Sequence, residues 1–190
     1  MTRVERKDIL DFVTYGERRE AIRASAMAAK DLRRVHLGPH LSFLFENFET
    51  IRYQVLEMVR VEQMVREADI QHELDTYNGV LGGAGELGCT LLIEIPDAAE
   101  REVLLRQWRD LPGHIQLVCA DGSRVQARFD QGQMNEEKLS SVQFLKFEVG
   151  GRTPAAVACS LPGLEGEVRL GEATRKALLA DLSQPPPPLR

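Results

Sequence analysis

Two consecutive segments decide the fold: Leu41-Ser-Phe-Leu-Phe-Glu46 and Thr50-Ile-Arg-Tyr-Gln-Val-Leu-Glu-Met-Val-Arg-Val-Glu62. In the first, apolar side chains recur at every second position, which predicts a β-strand with one apolar side. The second opens a stretch, residues 50–67, that is rich in long unbranched side chains and contains neither Gly nor Pro. This composition predicts the longest helix of the chain, with Thr50 as its N-cap.

Residues 7–34 precede these segments and are rich in Ala, Arg and Glu, without a proline. They predict one or two helices, with Asp8 or Thr14 as an N-cap. The sequence His36-Leu-Gly-Pro-His40 ends this region, because proline lacks the amide hydrogen that a helix needs and glycine favours a turn. We therefore expect an N-terminal helical segment that a turn connects to the strand at Leu41.

The downstream sequence combines hairpin signals with a single crossover helix. Asp97-Ala-Ala-Glu100 has capping-box spacing and predicts a helix to about Leu111, and Asp121-Gly122 predicts a tight hairpin turn. This pattern favours an α+β fold with a mainly antiparallel or mixed sheet covered by helices. We expect one domain over residues 1–183 and an extended, proline-rich tail over 184–190. The remaining expected elements are a helix at 69–78, a glycine-rich loop at 79–88, strands at 89–95, 114–120, 124–129, 141–149 and 155–161, and a helix at 171–182.

The composition narrows the class of protein. A net charge of −5, from 24 basic and 29 acidic residues, argues against a nucleic-acid binder, which needs a basic surplus to displace counterions. No apolar run approaches the ~20 residues that span a bilayer, and the charged start has no apolar signal region. Three widely spaced cysteines, Cys89, Cys119 and Cys159, favour reduced thiols over a disulfide framework or a zinc site. We expect a cytoplasmic location, with no membrane or nucleic-acid partner.

The central helix carries the most informative polar pattern. At about 100° per residue, Ile51, Val55 and Met58 mark one face, and Glu62 projects into the middle of it. We therefore expect Glu62 to be buried and to need an arginine, a metal or a raised pKa. Either the helix is buried with paired charges, such as Glu57 with Arg60 or Arg60 with the neighbours of Glu62, or it lines a polar pocket or a partner surface.

The following helix adds to this site. Glu73 and Tyr77 are four residues apart and share a helical face, and Asn78 follows them. If the two helices form a hairpin, these groups close a polar cleft against Glu57 and Arg60. The candidate ligand-binding or partner-binding residues are Arg52, Tyr53, Gln54, Glu57, Arg60, Glu62, Glu73, Tyr77 and Asn78.

Two other motifs predict no cofactor or metal. Gly83-x-Gly85-x-x-Gly88 has the glycine spacing of the dinucleotide fingerprint. In that fingerprint a strand precedes the glycines and a helix follows them, whereas here a helix precedes and a strand follows, so we expect a flexible loop. His36 and His40 cannot share a helical face, and neither has a third ligand nearby in sequence. The Glu-x-x-His motif of di-iron bundles is absent.

Several strings follow one another along the chain: Arg33-Arg34, Leu37 to Asn47, Thr50 to Glu62, Glu73-Leu-Asp-Thr-Tyr-Asn78, Thr90-Leu-Leu-Ile-Glu-Ile95 and Ser141-Val-Gln-Phe-Leu-Lys-Phe147. Together they resemble one bacterial family, that of domain of unknown function 3501. The resemblance runs from about Lys7 to Leu182. It implies a genomic context, since genes of this family often lie beside those for rubrerythrin and an iron–sulfur oxidoreductase, which points to peroxide defence or electron transfer. The chain lacks the Cys-x-x-Cys and Glu-x-x-His iron ligands of rubrerythrin.

The sequence leaves three functions open. The first is an accessory protein that binds a partner of an oxidative-stress redox system, rubrerythrin or the iron–sulfur oxidoreductase, through the candidate residues, with oligomers possible. The second is a ligand binder or enzyme in which Glu57 or Glu62 is the acid or base and an arginine holds an anionic substrate. The third is metal binding through Glu57, Glu62 and a histidine. A buried cleft with a perturbed carboxylate favours the second function, and a flat exposed strip favours the first.

Overall fold

The computed structural model describes residues 2–129 and 138–183. The proline-rich tail predicted at 184–190 lies outside the described residues. The helices are α1 (Phe12–Asp31), α2 (Phe48–Val61), α3 (Glu67–Asn78), α4 (Ala98–Gln107) and α5 (Glu172–Leu182), with short 3-10 turns at Arg6–Asp8 and Leu111–His114. The strands are β1 (Arg34–Leu37), β2 (Leu41–Phe45), β3 (Glu86–Ile93), β4 (Ile115–Cys119), β5 (Arg124–Gln126), β6 (Arg128–Phe129), β7 (Val142–Glu148), β8 (Pro154–Cys159) and β9 (Gly166–Arg169).

The strands form two sheets, in which hairpins connect β1 to β2, β4 to β5 and β8 to β9. One sheet has the order β1-β2-β3-β7-β6 and the other the order β5-β4-β8-β9. Every neighbouring pair is antiparallel. With α1 packed on α2 and α2 on α3, this is an α+β fold with an N-terminal helix, as the sequence predicts.

One extended segment passes from the first sheet to the second. It was expected as a single strand over 124–129, but β5 pairs with β4 and β6 pairs with β7. The break falls at Ala127, which is buried and donates its amide to the carbonyl of Ile115 at 2.9 Å. The single-strand prediction is therefore wrong, because side-chain alternation does not report a change of hydrogen-bonding partner.

Strand β2 has two chemically different sides. Phe43 and Phe45 are fully buried and lie on one side, with Cys89 and Leu91 of β3 opposite them in the register. Since successive side chains point to opposite faces, Leu44 and the following Glu46 lie on the other side. The first side belongs to the core, and the second forms the floor of the site described below.

The central helix begins earlier than expected. Asn47 is the N-cap, and its side-chain oxygen accepts from the amide of Thr50 at 3.0 Å, while the Thr50 hydroxyl accepts from the amide of Asn47 at 2.9 Å. Thr50 is therefore the third helical residue of a reciprocal capping pair and not the cap itself. A capping pair three residues apart places the start of the helix at Phe48.

The same helix also ends earlier, at Val61 instead of residue 67. Gln63 has a φ of 49°, a left-handed conformation that cannot continue a right-handed helix. The amide of the buried Met64 then donates to the carbonyl of Val59 at 3.0 Å. This turn leaves Glu62 as the C-cap residue, beyond the part of the helix that packs on the protein.

Other local predictions also shift. Asp11, not Asp8 or Thr14, caps α1, with its carboxylate accepting from the amides of Val13 and Thr14. Strands β1 and β9 were not predicted; each has four residues, too few to show a clear alternation. The predicted cap at Asp97 is present.

None of the helices within residues 2–129 and 138–183 is long and apolar enough to cross a membrane.

The glycine-rich segment 79–88 makes close backbone contacts, and part of it is a strand and not a loop. Strand β3 begins inside it, at Glu86. A Cβ atom added at Gly88 would lie 1.9 Å from the carbonyl oxygen of Val80, and one added at Gly82 would lie 2.0 Å from that of Glu86. Glycine is needed here because two backbone segments touch. The expectation of a flexible loop over 79–88 is wrong for residues 86–88.

Candidate functional site

Glu57, the first predicted site residue, lies in a closed ionic network. Its carboxylate accepts from the Tyr15 hydroxyl at 2.5 Å, from Arg19 Nε at 2.7 Å and from Arg60 Nη2 at 3.2 Å. Only 16% of the Glu57 side chain is exposed. The hydrogen bonds from Arg19 hold the pKa of Glu57 at about 2, in spite of the cost of burial. The predicted pairing of Glu57 with Arg60 is present, and the other partners come from α1.

Two further candidates fasten the N-terminal segment. Arg52 donates from Nε to the carbonyl of Asp8 at 2.9 Å. Asn78 accepts from the amide of Val4 and donates to its carbonyl, each at 2.9 Å. Both side chains thus bind backbone groups of the chain that precedes α1, so their role in the described structure is to hold that segment.

Glu62 does not lie where the helical projection placed it. Its side chain is exposed, since the turn at Gln63 ends α2 before this residue. The expectation of a buried Glu62 is wrong for that reason. Glu73 on α3 is half-buried.

The last two polar candidates, Gln54 and Tyr77, line a cavity of about 330 Å³. It lies between the open side of the five-stranded sheet and the helices α1, α2 and α3. Its polar lining comprises Lys30, Arg34, Glu46, Gln54, Tyr77 and Thr90. Its apolar lining includes Leu44, Ile51, Val80, Leu92, Val142 and Phe144. Tyr53, another candidate, is buried beneath one of these groups, Lys30.

Sheet register explains why these groups meet. Arg34 of β1 lies opposite Leu44 of β2, Leu44 opposite Thr90 of β3, and Thr90 opposite Phe144 of β7. Residues directly opposite one another share a face of the sheet. One row across four strands therefore supplies a guanidinium, a hydroxyl and two apolar side chains to the cavity floor.

Glu46 is the central acidic group of the cavity. It is 6% exposed and accepts a hydrogen bond at each oxygen, from the Thr50 hydroxyl at 2.5 Å and from the Thr90 hydroxyl at 2.6 Å. Burial raises the pKa of Glu46, against the opposing effects of both hydroxyls and of the charges on Lys30 and Arg34. The carboxyl group is thus oriented by hydroxyls and not by an arginine.

Two cations face the same cavity. The Lys30 ammonium, at the end of α1, lies 5.1 Å from the centroid of the Tyr53 ring, and burial lowers its pKa. Arg34 donates from Nη1 to the buried Ser42 hydroxyl at 3.2 Å. Among residues 2–129 and 138–183, neither cation has a carboxylate oxygen within 4.0 Å. Both can therefore donate hydrogen bonds to an anionic group of a ligand.

The cavity is a poor metal site, since its lining has one carboxylate, and metal sites need three or four ligands. No group of three His, Cys, Asp or Glu side chains within the described ranges is placed to hold a metal ion. The metal alternative through Glu57 and Glu62 also fails on geometry, because the first is enclosed by arginines and the second is exposed. His40 contacts the Trp108 ring, with centroids 5.6 Å apart, and His36 is exposed.

Sequence reasoning missed Lys30, Arg34, Glu46 and Thr90. The alternation of side chains along β2 could have indicated Glu46, because it places the Glu46 and Phe45 side chains on opposite faces of the sheet. No local pattern indicates that Thr90, 44 residues away, donates to Glu46. That contact depends on strand register, which a single sequence does not reveal.

A family model described as protein of unknown function (DUF3501) matches residues 3–182. The chain belongs to this family. The resemblance drawn from the sequence strings is thereby confirmed. A solved structure of a novel protein of unknown function from Burkholderia pseudomallei K96243 is 30% identical, with a TM-score of 0.88, and the match covers 96% of this chain and 100% of that one. No curated protein matches the chain.

Proposed function

We propose that this DUF3501 protein binds a small organic acid with an apolar body in the cavity around Glu46. One observation carries the proposal. Lys30 and Arg34 line a partly open cavity around the buried Glu46 carboxyl group, and neither cation has a carboxylate oxygen within 4.0 Å among the described residues. A charge removed from water needs a partner, and a ligand can supply it.

The chemistry of the lining defines the ligand. An anionic group fits between the Lys30 ammonium and the Arg34 guanidinium, which offers planar, bidentate hydrogen bonds. The apolar body fits against Leu92 and the Phe144 ring. Glu46 has acceptor capacity left beyond its two threonine hydroxyls, and it can receive a hydroxyl or amine of the ligand. The cavity volume of about 330 Å³ is at the lower end of small-molecule sites, roughly 300–1,000 Å³.

Calorimetric titration with phenyllactate, an aryl-substituted carboxylate, tests the proposal. We expect binding to the wild-type protein, and weaker binding of the neutral phenylethanol, because only the acid engages the two cations. Lys30→Met should weaken phenyllactate binding by at least about tenfold, a loss of ~1.4 kcal/mol. Lys176→Met removes one positive charge from an exposed position on α5 and should leave the affinity unchanged.

Two results would contradict the proposal. The first is equal affinity for phenyllactate and phenylethanol, which would mean that the cations do not recognise the anion. The second is equal loss of affinity in the Lys30 and Lys176 variants, which would mean a general effect of net charge. Thermal unfolding of each variant distinguishes a binding defect from a folding defect.

A second proposal concerns a protein partner, and the exposed turn between α2 and α3 favours it. Val61 and Val65 are 63% and 74% exposed and flank the exposed Glu62. With Arg52, Glu57 and Arg60 engaged inside the molecule, this turn is what remains of the predicted recognition surface. The partner would be the rubrerythrin or the iron–sulfur oxidoreductase of the family's genomic context.

Co-purification with those two proteins tests this second proposal. A charge at the turn, Val61→Glu, should abolish an interaction that the wild-type protein shows. Val103→Glu places the same change on α4, where the valine is 54% exposed, and should have no effect. Equal retention of the partner by both variants would contradict a role for the turn.

A further inference from the structure

We infer that Lys30 binds a carbonyl-containing acid covalently, as an imine, in the cavity around Glu46. The inference rests on the proposed function and adds the class of ligand, namely a 2-oxo acid or an aldehyde acid. It follows from the placement of an amine, a carboxyl group and an anion-binding guanidinium in the lining of one cavity.

The Lys30 amine is half-buried and belongs to the lining of the cavity. It extends from the end of α1 over the buried Tyr53 ring, 5.1 Å from the ring centroid. Within the part of the chain that the structure describes, its nitrogen has no carboxylate oxygen within 4.0 Å. An amine that is not held by an ion pair is available to a carbonyl carbon in the cavity.

Arg34 supplies the orientation. A guanidinium that holds the carboxylate of a 2-oxo acid places the adjacent carbonyl carbon one bond away, toward the interior of the cavity. Arg34 is fixed on β1 and donates to the buried Ser42 hydroxyl, so the anchor is attached to the sheet. The apolar substituent of the acid then lies along Leu92 and Phe144, on the floor of the cavity.

Glu46 supplies the proton that the reaction needs. Burial raises the pKa of its carboxyl group and lowers the pKa of the Lys30 ammonium. Both shifts lower the free-energy cost of forming the neutral amine and the carboxylic acid that the reaction needs. The two threonine hydroxyls at 2.5 and 2.6 Å keep the carboxyl group oriented.

The step balances without a further reactant. The Lys30 nitrogen adds to the carbonyl carbon, and a proton moves from nitrogen to the carbonyl oxygen to give a neutral carbinolamine. The C–O bond then breaks, the oxygen leaves as water with a proton from Glu46, and the nitrogen lone pair forms the C=N bond. The products are an iminium cation, a Glu46 carboxylate and one water molecule.

Reductive trapping tests the inference. The full-length protein is incubated with phenylpyruvate and cyanoborohydride, which delivers hydride to an iminium, and the modified lysines are mapped by peptide mass spectrometry. We expect a secondary amine at Lys30 and only background labelling at the exposed Lys176. Glu46→Gln cannot donate the proton and should slow trapping by at least about 100-fold.

The controls separate this inference from the proposed function. Lys30→Arg keeps the positive charge and should still bind phenyllactate while giving no adduct. If phenylpyruvate and phenyllactate bind the wild-type protein equally and no adduct forms at Lys30, the imine is overturned and the binding proposal stands. If neither acid binds, both proposals are overturned. Equal labelling of Lys30 and Lys176 would also overturn the imine, because the cavity would confer no reactivity.

Discussion

Two glutamates of this protein show opposite solutions to the burial of a carboxylate. Glu57 is enclosed by a tyrosine hydroxyl and two guanidinium groups, which lower its pKa to about 2. Glu46 is oriented by two threonine hydroxyls beside a cavity, and burial raises its pKa. The first carboxylate forms ion pairs within the protein, whereas the second has no cation within 4.0 Å among the described residues and only faces Lys30 and Arg34 in the lining of the cavity.

The difference indicates which charges hold the fold and which remain for a ligand. A matched buried charge contributes to stability, because its removal leaves its partners without a counter-charge. A carboxyl group that forms no ion pair contributes little to stability, and it remains able to bind a ligand or to transfer a proton. The following predictions test this distinction, from the largest expected effect to the smallest.

The most deeply buried ion pair of residues 2–129 and 138–183 should give the largest loss of stability when one of its partners is removed. Arg33 Nε lies 2.8 Å from Asp181 Oδ2, with side chains 9% and 2% exposed. Asp181→Ala should lower the free energy of unfolding by about 3–5 kcal/mol, since it leaves a buried guanidinium unpaired. Urea unfolding measures the loss. Asp31→Ala, at an exposed position, is the control and should change it by less than about 0.5 kcal/mol.

Glu57→Gln should cost about 2 kcal/mol, because hydrogen bonds to a charged group are lost while the partly exposed Arg19 and Arg60 regain water. The matched control is Glu62→Gln, the same change at an exposed position near the end of α2, where we expect less than about 0.5 kcal/mol. Equal costs for the two variants in urea unfolding would show that the ionic network does not stabilise the fold.

The two carboxyl groups should give stability opposite dependences on pH. The lowered pKa of Glu57 means that its contribution is present above its ordinary value of 4.5 and is lost as the pH falls toward about 2. The raised pKa of Glu46 means that its contribution is present below 4.5 and is lost as the pH rises through the folded-state pKa.

Unfolding of the wild-type, Glu57→Gln and Glu46→Gln proteins between about pH 3 and about pH 7 measures these dependences. The cost of Glu57→Gln should shrink toward acid pH. The stability of Glu46→Gln relative to wild type should improve toward neutral pH. Parallel curves for all three proteins would show that neither carboxyl group has a shifted pKa.

Glu46→Gln should have the smallest effect on stability, within about 1 kcal/mol at neutral pH. The amide is nearly the same size, it keeps one oxygen acceptor, and its nitrogen can donate to the oxygen of a threonine hydroxyl. It also removes the cost of a buried charge. A loss as large as that of Glu57→Gln in the same unfolding experiment would place Glu46 among the structural charges and remove the distinction between the two sites.

Much of the fold could be predicted because its signals are short-range. The alternation of Leu41, Phe43 and Phe45 identifies β2, Asp97 caps α4, and Asp121-Gly122 forms a hairpin turn. Each depends on neighbours within a few residues. The end of α2 could not be predicted in this way. Gln63 adopts a left-handed conformation, and a glutamine in the sequence does not indicate that conformation.

The sequence by itself determined the α+β class, the hairpin at Asp121-Gly122 and the family. Only the tertiary structure decided which carboxyl group faces a cavity. Glu46 receives a hydroxyl from a residue 44 positions away, and its cations come from α1 and β1. Strand register and helix packing set these distances, and neither is encoded in the spacing of residues along the chain.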